Sequence, residues 1–111
     1  MVQALQEAIA RKLISELPDA FDRAEVNIEI DTIDGDLVLS PDGDVHIGGQ
    51  CEQIRLGIDL RGLFKELRSE MAAAQPSSHP WTICDLLVDN TGAFKFRFSY
   101  ETPPRLAKLS G

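Results

Sequence analysis

Residues 25–31 alternate between polar and apolar side chains, with Val26, Ile28 and Ile30 on one parity and Asn27, Glu29 and Asp31 on the other. A period of two suits a strand with one buried face, whereas a helix would scatter the same residues around its circumference. The strand is expected to run from Glu25 to Ile33, where Asp34-Gly35 follows as the two-residue signal of a type I′ hairpin. With Ile33 opposite Asp36, Ile30 falls opposite Leu39 and Thr32 opposite Leu37, so the apolar faces of the two strands coincide. Ser40-Pro41-Asp42-Gly43-Asp44 reads as a second turn, of type I closed by a left-handed glycine. A three-residue loop there sets Leu39 opposite Val45 and Leu37 opposite Ile47, and Gly48-Gly49 then ends a three-stranded meander.

Helical spacing appears on either side of this meander. Val2, Leu5, Ile9, Leu13 and Leu17 recur at three- and four-residue steps, forming an amphipathic helix that Pro18 stops. Leu60, Leu63, Phe64, Leu67, Met71 and Ala74 form a second stripe, with Asp59 as its expected N-cap. Residues 75–80 are rich in helix breakers. Residues 81–89 and 93–101 then read as another hairpin around Asn90-Thr91-Gly92, pairing Val88 with Phe94, Leu86 with Phe96 and Cys84 with Phe98. In that register Phe94, Phe96, Phe98 and Tyr100 face the core, and Asp85 lies opposite Arg97 as a cross-strand charge pair. The tail from Thr102, with Pro103-Pro104, is expected to be irregular.

These elements predict an α+β fold in the order α-β-β-β-α-β-β, a five-stranded antiparallel sheet with two helices on one face. At 111 residues the chain supports one core, so residues 1–111 form a single domain. The other sheet face is left to solvent or to a partner, which antiparallel sheets tolerate. The apolar runs fall well short of the roughly 18 residues that a membrane span needs, so no membrane partner is expected. Cys51 and Cys84 lack disulfide spacing, which points to a reduced, cytoplasmic setting.

No catalytic signature is present: there is no nucleophile elbow, Walker loop, zinc-protease motif or dinucleotide fingerprint. His46, Cys51, His79 and Cys84 include no pair at zinc-ligand spacing, so no metal and no cofactor are expected. Cys84 has apolar neighbours that would raise its pKa, which argues against a nucleophile. Asp85 interrupts an otherwise apolar strand, and its pairing with Arg97 explains it better than acid–base catalysis does.

Charge distribution is the more informative signal. The net charge is −7, and between Glu16 and Asp44 ten acidic residues stand against a single base, Arg23. Such a block disfavours nucleic acid, which requires clustered Lys and Arg. It suits a basic protein partner. Glu29 and Asp31 are expected on the solvent face of the first strand, with Asp34 and Asp36 at one hairpin end and Asp42 and Asp44 at the other. These six residues form the candidate partner-binding surface.

The second half of the chain carries a family resemblance. Leu63-Phe64-Lys65-Glu66-Leu67-Arg68 leads through a polar loop into Pro80-Trp81, an aliphatic strand, Asp89-Asn90-Thr91-Gly92-Ala93-Phe94-Lys95 and Phe98-Ser99-Tyr100-Glu101. This resembles the YezG-like immunity proteins of bacterial polymorphic toxin systems, whose pattern is a helix, P-W, a strand, a D-G-x-F-K turn and a closing Y-E. Asn90-Thr91-Gly92 spreads the usual turn, and the tail after Glu101 is shorter than in typical members. The resemblance implies a non-catalytic cytoplasmic protein that neutralises a cognate toxin, commonly a nuclease, as in contact-dependent growth inhibition. Trp81, Gly92, Phe94 and Tyr100 read as fold-building within that motif. The alternatives are a small adaptor or self-associating domain, with a homodimer joined through the open sheet face or an edge strand, and a small acid–base enzyme using Asp85.

Overall fold

The computed structural model describes residues 2–75 and 79–110; the breaker-rich positions 76–78 lie outside the described residues. The alternating run forms β1 (Arg23–Ile33), and Asp34 (φ 53°) with Gly35 (φ 85°) turns it into β2 (Asp36–Ile47). Ile33 pairs with Asp36, Thr32 with Leu37 and Ile30 with Leu39, as the apolar faces require.

The expected turn at residues 40–44 is not there. β2 continues through it, with Pro41 opposite Ile28, Asp42 opposite Asn27, Gly43 opposite Val26 and Val45 opposite Ala24. Val45 and Ile47 therefore extend the same strand as Leu37 and Leu39, and do not pair back onto it. The hairpin geometry explains why Pro41 is tolerated. Ile33 and Asp36 are the first hydrogen-bonded pair, so the nitrogen of Pro41 points away from β1. On that side the next strand pairs only with residues 44–47, and a missing N–H there costs no ladder bond. Gly43 is buried, and a Cβ on it would stand 3.4 Å from Val26 Cγ2 and 3.6 Å from Ile54 Cβ. A turn glycine and a strand glycine answer differently to substitution. Gly43→Ala is expected to change stability by less than about 0.5 kcal/mol, because Ala suits strand geometry and the contacts are ordinary. Gly35→Ala should cost about 1–2 kcal/mol, since it forces an L-residue into the left-handed region. Urea unfolding of the two variants checks this, and the reverse order would place a break at Gly43.

Gly48 (φ 55°) and Gly49 (φ 83°) make the turn into the short edge strand β3 (Gln50–Gln53). Helix α1 (Val2–Ser15) precedes β1, and α2 (Ile58–Ala74) follows β3. The N-cap of α2 is Gly57 with no side-chain bond, and Asp59 sits inside the first turn instead. β4 (Ile83–Asp89) and β5 (Phe94–Ser99) pair in the expected register, including Asp85 opposite Arg97. The sheet order is β3-β2-β1-β4-β5, antiparallel throughout, which places β1 at the centre.

Ala24, Val26, Ile28 and Ile30, the even-numbered residues of β1 up to the exposed Thr32, are buried in one cluster with Ile9 and Leu13 of α1, Leu60, Phe64 and Leu67 of α2, and Trp81, Cys84 and Leu86. This is the two-helix layer that the sequence predicts. The tail differs. Pro104–Ser110 forms a third helix, α3, which packs on β1 and β2 from the opposite side of the sheet. Pro104 suits the first helical position, where its missing N–H has no intrahelical partner to lose. Leu106 is 1% exposed, outside the main core cluster.

Candidate partner-binding face

The odd-numbered residues of β1 and the even-numbered residues of β2 line the sheet face opposite α1 and α2, and α3 crosses that face near its middle. Glu29 is the reason it docks there. The residue is 1% exposed, and Oε1 accepts the backbone N–H groups of Arg105 (2.8 Å) and Leu106 (3.0 Å). Oε2 pairs with Arg105 Nη1 at 3.2 Å. The guanidinium also donates to Ser40 Oγ (3.0 Å), the Ser40 carbonyl (2.9 Å) and the Asn27 carbonyl (3.3 Å). Glu29 is thus a helix-capping and ion-pairing residue inside the fold, not the surface contact its alternation suggests. A tail read as irregular could not show that anything covered it.

With α3 in place, the remaining acidic residues fall into two groups. Asp34 and Asp36 stand exposed at the β1–β2 turn. Asp31 is half-buried; its Oδ1 accepts the Thr32 N–H at 2.8 Å. Burial lowers the pKa of Arg68, and Asp31 opposes that shift. Beyond α3, Asp42 and Asp44 lie mid-strand, with Asp44 opposite Glu25 and Asp42 opposite Asn27. They line a shallow hollow of ≈ 330 Å³ together with Glu25, Asn27, Asp85 and Arg97.

This hollow is rich in acceptors. Asp85 accepts the Asn27 amide at 2.7 Å, and no ion pair joins it to Arg97 among the described residues despite their shared register. Asn27 Oδ1 is buried and has no donor among the described residues. Four carboxylates and an unsatisfied amide oxygen therefore face one cationic side chain. Glu25 and Asp85 join the site only because β2 is unbroken. The pairing Glu25–Asp44 would have found Glu25, by extending the first hairpin past Pro41, whereas Asp85 also requires the β1–β4 pairing that sets it opposite Asn27.

Features that would indicate chemistry are scarce. Burial, and next the Asp85 charge, push the Cys84 thiol far above its ordinary value, so it stays protonated within the core. Among the described residues no group of three or more His, Cys, Asp or Glu side chains could hold a metal ion. No described helix is long and apolar enough to cross a membrane. No family model matches the chain, and no curated protein matches it.

Proposed function

We propose that this chain is an immunity protein without catalysis of its own, which binds and neutralises a basic toxin domain of the nuclease class. The observation that carries this reading is the acceptor-rich, donor-poor hollow at Glu25, Asp42, Asp44 and Asp85. Its chemistry is complementary to arginine and lysine side chains, which bring N–H donors and positive charge together. A nuclease presents such side chains to its phosphate substrate, so an acidic face on an inhibitor both occludes them and speeds encounter. The likeness of Pro80–Glu101 to the YezG-like pattern supports the same reading, and on it the protein acts in the bacterial cytoplasm. Asp31, Asp34 and Asp36, on the far side of α3, add a flanking negative field.

Co-purification with the product of the adjacent open reading frame, at low and high salt, tests this. The expected result is a stoichiometric complex that abolishes the partner's nuclease activity and weakens as salt rises. A complex that leaves the nuclease active, or no complex at all, would overturn the reading.

A further inference from the structure

β5 closes one side of the sheet, and its outer edge has no neighbouring strand among the described residues. The hairpin bond from Asp89 N–H to the Ala93 carbonyl sets the phase of the β4–β5 ladder. Lys95, Arg97 and Ser99 therefore exchange backbone bonds with β4, and the N–H and C=O groups of Phe94, Phe96 and Phe98 point outward. The side chains divide the other way. Phe94, Phe96 and Phe98 lie on the side of α1 and α2 as a continuous ladder, edge-to-face at 5.9 Å and stacked at 5.9 Å, with Trp81 against Phe98 at 5.6 Å. The ladder is only partly covered: Phe94 is 39% exposed, and Phe96 and Phe98 are half-buried. On the other side Lys95 and Arg97 are exposed and make no ion pair among the described residues.

We infer that β5 accepts an extended segment of another protein as a sixth strand, one in which acidic residues alternate with apolar ones. Backbone bonds to Phe94, Phe96 and Phe98 would supply adhesion, apolar side chains would cover the ladder, and carboxylates would meet Lys95 and Arg97. Basic residues on an edge strand commonly guard it against other copies of the same chain. They do so here, because the two registers of fullest overlap, centred on Phe96 and on Arg97, set Lys95 against Arg97 or Arg97 against itself. That protection does not extend to an acidic strand, which finds its charges neutralised. The inference does not rest on the proposed toxin contact, which uses the opposite charge; Arg97 borders both sites, whereas Lys95 and the phenylalanine edge do not line the hollow.

A peptide of residues 24–31, which alternates apolar side chains with Glu25, Asn27, Glu29 and Asp31, serves as the probe against the full-length, isotope-labelled chain. Amide shifts and slowed exchange are expected at Phe94, Phe96 and Phe98, with binding about tenfold tighter than for the same peptide with lysine at its acidic positions. In the Lys95→Glu/Arg97→Glu variant that preference should invert; both side chains are exposed, and the cost of a glutamate opposite Asp85 is read from the variant's own urea unfolding. Equal binding of the two peptides, shifts confined to other strands, or concentration-dependent protection of β5 without peptide would each overturn the inference. The last outcome would assign the edge to a second copy.

Discussion

Glu29→Ala is expected to lower the stability of the fold by about 2–3 kcal/mol and to release α3 from the sheet. The carboxylate accepts two backbone N–H groups in the first turn of α3 and holds the Arg105 guanidinium. Alanine leaves all three without that acceptor. Removing one partner of a fully buried pair costs about 3–5 kcal/mol, but Arg105 is 34% exposed and keeps its bonds to Ser40 and Asn27, which reduces the figure. A ceiling also applies, since a seven-residue helix can undock and return its N–H groups to water. The total loss cannot exceed what docking α3 contributes. Glu29→Gln keeps an oxygen for the two N–H groups and should cost about 1 kcal/mol, the part due to charge. Urea unfolding gives the two values, and hydrogen exchange at residues 105–107 tests the location. Global destabilisation with unchanged exchange at those amides would place the role of Glu29 elsewhere.

That Glu29 needs such an experiment shows where the sequence stops being legible. Its position on the polar parity of β1 follows from alternation alone, and the structure keeps that parity. Burial does not follow, because it depends on a segment more than seventy positions away. Pro104 at a helix start and Leu106 two residues on were visible signals, but a seven-residue helix has too little periodicity to read. Where the signal was local, the strand pairings agree: the β4–β5 register follows from the Asn90-Thr91-Gly92 loop, and the first hairpin from Asp34-Gly35. The aromatic stripe is less buried than expected, with Tyr100 beyond the end of β5 and 52% exposed.

Pro41-Asp42-Gly43 failed for a different reason. Its turn chemistry is genuine, and it was outweighed by tertiary context: a proline nitrogen that faces an uncovered edge, and a glycine without a left-handed φ that sits in the strand beside Ile54. The consequence reaches the candidate site. With β2 unbroken, Asp42 and Asp44 move from a loop at the rim to the middle of a rigid strand. They gain Glu25 as a cross-strand neighbour and Asp85 across β1, whereas Asp34 and Asp36 stay at the far turn. The acidic block in the sequence is thus two surfaces in the fold.

The two surfaces should contribute unequally to binding, and charge reversal separates them. Asp42→Lys/Asp44→Lys is expected to slow association with the proposed toxin partner by about 10- to 100-fold at low salt, because it inverts the field where the hollow concentrates it. The fold should tolerate the change: Asp42 is exposed, and lysine at position 44 gains an opposite charge in Glu25 across the strand pair. The reversal Asp34→Lys/Asp36→Lys changes the charge by the same amount on the far side of α3, at some cost to the turn because Asp34 is left-handed (φ 53°), and should slow association by only about threefold. Stopped-flow association rates over a salt series check both. The wild-type and Asp42→Lys/Asp44→Lys curves should converge at high salt, where the Debye length shrinks to about 3 Å at 1 M and steering is lost. Equal effects of the two reversals would mean that only net charge matters and that the hollow is not the contact. No effect of either would remove the acidic face from the mechanism, leaving the toxin to be held through some other surface.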